Sequence, residues 1–160
     1  MKKKVYLETT IPSYLTAKPG RDIIVLARQE ITREWWENYK DEYQLYISQT
    51  VIDEISGGDK RYAKSRIELI KSIAFLQADK NIEDLALKYF KYFNFPEKAI
   101  RDAAHLAFAF LYQMDYLLTW NCKHLANGKI RSGLHKFNIK LGFNTPEICT
   151  PEELMSSEEE

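Results

Sequence analysis

The chain has 160 residues, of which 45% are hydrophobic and 29% charged, with six Gly, five Pro and two Cys. That composition excludes a disordered polymer and a disulfide scaffold, and the length suits one domain that buries roughly two thirds of its unfolded surface. Lys plus Arg and Asp plus Glu balance at 23 each, so bulk charge gives no indication of a generic basic nucleic-acid binder.

The opening MKKK imitates a signal peptide, but the apolar run behind it breaks at Glu8. No window holds the ~20 apolar residues of a membrane helix. Cys122 and Cys149 are far apart and form no CxxC, which argues against a disulfide framework or sulfur-bound metal. A soluble, cytoplasmic protein is expected.

Val5 to Leu7 reads as a strand that runs straight into Glu8, Thr9 and Thr10. A carboxylate closing a buried strand is costly unless it reaches water, is paired or binds a cation. Arg21 to Tyr39 has helical spacing, with Ile24, Ala27, Ile31 and Trp35 on one face. Gln44 to Ile47 reads as a second strand. SQTVIDEI follows as a short helix, with Ser48 or Thr50 as its cap and Gly57-Gly58 at its end. Asp59 to Ile70 is a charged helix. Its Lys60, Arg61, Lys64 and Arg66 form either a solvated face or a phosphate-contacting patch near Glu54.

Ala74 to Gln77 reads as a third strand and Asn81 to Phe93 as a helix. After Pro96, EKAIRDAAHLAFAFLYQM is apolar nearly all round past Ala103, the pattern of a helix buried in the middle of a domain. YLLTW is a fourth strand bounded by Asn121. Gly128 to Leu141 is helical, PEICT is a fifth short strand, and TPEEL opens a last helical turn. No repeat or linker interrupts residues 1–154, which read as a single domain. Residues 155–160 read as a frayed acidic tail.

Strands alternating with helices imply a parallel sheet covered on both faces. In such sheets ligands bind beyond the carboxyl ends of the strands. Glu8 ends the first strand and Asn121 follows the fourth, so both face one crevice if those strands are neighbours. Glu54 and Asp102 add two carboxylates from mostly apolar helices. Three carboxylates and an amide suit a hard cation such as Mg²⁺ or Mn²⁺. A cation in that crevice can support phosphodiester hydrolysis without a protein nucleophile.

His105 reads as a core histidine or a support for the ligands rather than a ligand itself. His124 reads as a loop-packing or capping residue and His135 as a surface residue. The Trp35–Trp36 pair is assigned to the core and an oligomer contact in preference to base stacking. No GxGxxG or GxxxxGK[ST] follows any strand, which disfavours a nucleotide-binding Rossmann-like domain.

The pieces VYLETT, VIDEI, RDAAHLAFA and LLTWN occur in that order and are followed by TPEEL. Together they resemble the PIN-domain ribonucleases, in particular the toxins of VapBC toxin–antitoxin pairs. The resemblance implies a three-layer α/β/α sandwich with a central parallel sheet of about five strands. It further implies metal-dependent cleavage of RNA, a small antitoxin partner and a homodimer.

By position, the resemblance makes Glu8, Glu54 and Asp102 the acidic cluster, with Glu8 and Asp102 on the metal. Asn121 takes the fourth site, Thr119 lies in the loop approaching the phosphate, and Thr9 is a supporting hydroxyl. The family usually has Asp where this chain has Glu8, and often Asp where it has Asn121. Glu adds a methylene and Asn removes a charge. These departures keep open a second reading, a catalytically weakened PIN-like module that binds RNA or protein.

Overall fold

The computed structural model describes residues 1–155, and its spine is one sheet of five parallel strands. In chain order these are β1 (Lys3–Leu7), β2 (Tyr43–Ser48), β3 (Ala74–Leu76), β4 (Tyr116–Leu118) and β5 (Glu147–Cys149). In space they lie as β3-β2-β1-β4-β5. The helices are α1 (Thr10–Thr16), α2 (Ile23–Asn38), α3 (Gln49–Ile55), α4 (Lys60–Ile70), α5 (Lys80–Tyr92), α6 (Ile100–Leu111), α7 (Gly128–Asn138) and α8 (Pro151–Met155). They flank the sheet in a three-layer α/β/α sandwich, as expected. Among the described residues no helix is long and apolar enough to cross a membrane.

β1 is the central strand, and Val5, Tyr6 and Leu7 are fully buried because neighbours cover both edges and both faces. α6 carries the most continuous buried run, from Ala103 through Phe110 with Ala104 only partly covered. It stacks Phe108 against Tyr6 at 6.3 Å. The adjacency of β1 and β4 expected from the strand pattern is present, with Leu7 opposite Leu118.

Three local expectations differ from the structure. The segment after Glu8 forms α1, a helix not foreseen; it begins where Glu8 accepts backbone and hydroxyl donors from Thr10. The inner face of α2 is Gln29, Thr32 and Trp35, whereas Ile24 is exposed. The helix is rotated because its buried polar groups are satisfied. Gln29 accepts from Gly20 N and donates to Lys18 O, and Thr32 Oγ1 accepts from Trp120 Nε1. Finally, Met155 closes α8 rather than opening a tail, and residues 156–160 of the expected acidic tail lie outside the described residues.

One buried polar pair ties α5 to α7. Tyr89 OH donates to Asn138 Oδ1 at 2.6 Å, both side chains are fully buried, and Asn138 Nδ2 has no partner among the described residues. Tyr89→Phe removes the one bond this amide's side chain makes among the described residues. The expected cost is about 1–3 kcal/mol, the penalty for an unsatisfied buried acceptor. A thermal melt checks it: a Tm equal to wild type would mean the amide finds another partner.

Candidate active site

Glu8 is 3% exposed, although it ends a strand. Its backbone N–H donates to Leu118 O at 3.0 Å, so the β1–β4 ladder runs one residue beyond β1 and sets Glu8 beside Thr119. Glu8 Oε1 accepts three hydrogen bonds: from Thr10 N at 2.9 Å, Thr10 Oγ1 at 2.5 Å and Thr119 Oγ1 at 2.8 Å. Oε2 takes no hydrogen bond among the described residues and is not fully buried. One oxygen therefore anchors the side chain and the other remains available. Burial raises the Glu8 pKa, opposed by the nearby His105 charge and by the Thr10 and Thr119 bonds.

The loop after β4 is tied to the same carboxylate. Thr10 Oγ1 accepts from Trp120 N, and Thr119 Oγ1 accepts from Asn121 N, each at 2.9 Å. Asn121 Nδ2 then donates to Asp102 Oδ1 at 3.0 Å, while Asn121 Oδ1 accepts from His124 N at 3.0 Å. His124 Nδ1 lies 3.0 Å from Asp102 Oδ2. An Asp at position 121 would place a carboxylate against Asp102; the amide supplies a donor instead. Burial raises the Asp102 pKa and Glu54 adds to the rise, against the lowering effects of His105, His124 and Asn121.

Glu54 arrives from α3. Its Oε1 accepts from Thr9 Oγ1 at 2.9 Å and lies 2.6 Å from His105 Nε2. Burial alone would raise its pKa, but the His105 bond and charge outweigh that and hold it below the ordinary value. His105 is fully buried, with Nδ1 2.6 Å from Tyr6 OH, which lies 2.7 Å from Ser48 Oγ. Burial alone would lower the His105 pKa. The Glu54 bond and the charges of Glu8, Glu54 and Asp102 reverse this and raise it. All three carboxylates named from the sequence thus act on one imidazole.

The chain of hydrogen bonds is consistent with two proton counts. With neutral His105, Nε2–H donates to Glu54, Tyr6 OH donates to Nδ1, and Ser48 donates to Tyr6. With charged His105, Nδ1–H donates to Tyr6 and Tyr6 donates to Ser48. A proton can be added without breaking a contact.

These shifts fix the sign of a pH effect. Folding takes up protons at Glu8, Asp102 and His105, so stability falls as pH rises through their raised folded values. The window opens in the ordinary carboxylate range for the two acids and near 6.5 for His105. Glu54 has the opposite sign, and its effect lies below 4.5. In chelator, the Tm is expected to fall from about pH 5 to about pH 8, and Glu8→Gln is expected to flatten the slope. A Tm that rises across that range in wild type would contradict this.

The structure brings Glu8, Thr9, Glu54, Asp102, His105, Thr119 and Asn121 into one hydrogen-bonded and electrostatic cluster. Among the described residues no group of three or more His, Cys, Asp or Glu stands as a ready metal site. Sequence reasoning missed Tyr6, Ser48 and Thr10, and it placed His124 in loop packing although His124 also meets Asp102. The spacing of Asn121 and His124, with an Asn side chain accepting from the N–H three residues on, was the one available signal. Tyr6 carried none, since it read simply as core, and Ser48 read as a helix cap; it holds the N-cap position of α3, but its side chain makes no capping bond and turns to Tyr6 instead.

In the basic patch, Arg66 donates to Ile55 O and Gly57 O, so it ties α4 to the end of α3. Lys60, Arg61 and Lys64 are exposed. Trp35 is core, and Lys40 lies over the Trp36 ring at 5.4 Å.

No protein-family model matches the sequence, and no curated protein matches it. Solved structures do match in fold. VapC20 of Mycobacterium tuberculosis, described as a sarcin-ricin loop cleaving toxin, superposes with a TM-score of 0.60 at 14% identity, covering 88% of this chain and 97% of that one. VapBC2 from Rickettsia felis, bound to a DNA fragment from its promoter, gives 0.58 at 13% identity, covering 92% and 98%. The fold expected from the sequence is the fold these two structures share with this chain.

Proposed function

We propose that this chain, which has the fold of VapC-type PIN-domain toxins, is a divalent-cation-dependent endoribonuclease and the toxin of a toxin–antitoxin pair. One observation carries the reading. Glu8, a buried carboxylate just past the carboxyl end of the central strand, is held through one oxygen by three donors, takes no hydrogen bond on the other among the described residues, and shares the His105 imidazole electrostatically with Glu54 and Asp102. Mg²⁺ typically keeps several waters and is held by one or two carboxylates together with substrate phosphate. The donor set fits that habit better than a closed protein cage. Glu8 and Asp102 would hold Mg²⁺ or Mn²⁺, with Glu54 and Asn121 alongside.

When bound, the cation supplies Lewis acidity toward water and the scissile phosphate. The chain's own groups do the rest. Thr10 and Thr119 fix Glu8, while Asn121 and His124 fix Asp102. Thr9 and His105 orient Glu54 and hold its pKa below the ordinary value, so it stays ionised near neutral pH. His105 offsets the carboxylate charge and holds a proton between Nδ1 and Tyr6. In this reading RNA is the substrate, a small antitoxin is the protein partner, and the chain works as a cytoplasmic homodimer.

A second reading, the catalytically weakened module, draws on a specific contact: both Asp102 oxygens are already engaged, by Asn121 and His124. Cleavage of a mixed RNA pool in Mg²⁺, in Mn²⁺ and in chelator separates the two. Metal-dependent cleavage supports the nuclease. RNA binding without cleavage in either metal supports the module.

A further inference from the structure

A groove of about 580 Å³ lies between the end of α5 and α7 and runs up to His124. Lys123, Lys129 and Lys136 line it, and no Asp or Glu among its described residues does. This is a local excess of positive charge in a chain whose formal net charge is zero. All three lysines are exposed, and none pairs with a carboxylate among the described residues. Lys129, Ser132 and Lys136 recur three and four residues apart on α7, so they share one face of that helix.

The opposite wall is aromatic and continuous with the carboxylate cluster. Tyr92 meets Phe93 edge-on at 4.9 Å, Phe93 stacks on Phe95 at 5.5 Å, and Phe95 meets His124 at 5.7 Å. His124 in turn touches Asp102. Two backbone features build this row. Asn94 adopts a left-handed conformation (φ 51) that turns the chain, so that Phe95 N donates to Phe90 O and its ring returns beside Phe93. Gly133 lets the Phe93 ring lie against α7, since a Cβ there would come within 2.7 Å of Phe93 Cε1. Tyr92, at the far end, also meets Phe137 edge-on at 5.0 Å and is still 48% exposed.

Unpaired ammonium groups on one wall and aromatic rings on the other match the two parts of a single-stranded nucleic acid, its phosphates and its bases. We propose that this groove is the track along which a single RNA strand reaches the carboxylate cluster, with phosphates on Lys123, Lys129 and Lys136 and a base on Tyr92. The assignment rests on the ribonuclease reading for its direction, but RNA binding can be measured without cleavage.

The test uses the full chain in chelator and a fluorescent single-stranded RNA of mixed sequence, with binding followed by anisotropy across a salt series. K129A/K136A is expected to weaken binding and to reduce the slope of log affinity against log salt by about 1.4, two single-strand phosphate contacts at ~0.7 each. Tyr92→Leu keeps the apolar packing and loses the stacking face. It is expected to weaken binding by at least about 5-fold with the slope unchanged.

Wild-type affinity and slope in K129A/K136A together with wild-type affinity in Tyr92→Leu would overturn the proposal. So would the absence of RNA binding by the wild-type chain, or groove variants that bind RNA normally but lose self-association. If the variants lose RNA affinity while wild type cleaves nothing in Mg²⁺ or Mn²⁺, the groove stands and the nuclease reading falls. If cleavage depends on Asp102 while the variants bind normally, the nuclease stands and the groove falls.

Discussion

Asp102→Ala is expected to abolish measurable RNA cleavage, while His124→Ala is expected to reduce it only about 10–100-fold, the usual cost of losing a group that orients a ligand. The grading follows from the contacts. Asp102 is proposed to touch the cation directly, whereas His124 acts by holding Asp102 Oδ2 at 3.0 Å. Asp102→Asn is the control for folding. Its carbonyl can still accept from Asn121 Nδ2, and its amide can donate to a neutral His124 Nδ1. The lost charge relieves both the burial penalty and the repulsion from Glu54. Its metal-free Tm should therefore match or exceed wild type, as at sites that trade stability for activity. Cleavage rates in saturating Mn²⁺ together with melts in chelator test both parts. A cluster that serves only structure would give the reverse pattern, a large Tm loss in Asp102→Asn and cleavage unchanged.

The parts of the fold legible in the sequence were those that local chemistry dictates. The apolar run past Ala103 could only be a central helix, and α6 is that helix. Glu8 and Asn121 could be placed in one crevice because parallel sheets put strand ends together, and the β1–β4 pairing does so. What was not legible depended on tertiary satisfaction of polar groups. Gln29 and Thr32 face inward on α2 because Lys18, Gly20 and Trp120 receive them, and no spacing rule announces such partners. Tyr6 reaches Ser48 and His105 from separate elements, 42 and 99 residues away in the chain. α1 was missed because its start is specified by the Glu8 carboxylate rather than by an N-cap of its own; Thr9 makes no side-chain capping bond.

Glu8→Asp tests whether the longer side chain belongs to this site or marks drift from the shorter one common in the resembling family. Three donors converge on Glu8 Oε1, and two of them, the hydroxyls of Thr10 and Thr119, also accept from Trp120 N and Asn121 N. The carboxylate is thus the hub on which the β4 loop is assembled. Asp withdraws the oxygens by about 1.5 Å, one carbon–carbon bond. Either the three bonds break or β1 must shift, and the Leu118 ladder bond to Glu8 N opposes a shift. Glu8→Asp is therefore expected to lose cleavage to the level of Glu8→Ala and to lower the Tm, since buried hydroxyls and N–H groups lose their acceptor at about 1–3 kcal/mol apiece. Glu8→Gln should separate the two roles. Its carbonyl can accept all three bonds and the buried charge is gone, so the fold is kept and the metal-free Tm near neutral pH matches or exceeds wild type. Its amide replaces the free oxygen, so Mn²⁺ affinity and cleavage are lost. Melts in chelator, Mn²⁺ titration and cleavage of the same RNA pool read the three properties on each variant. Higher activity in Glu8→Asp than in wild type would show that the threonine cradle does not set the side-chain length, and that this chain departs from an ancestral Asp at a cost to turnover.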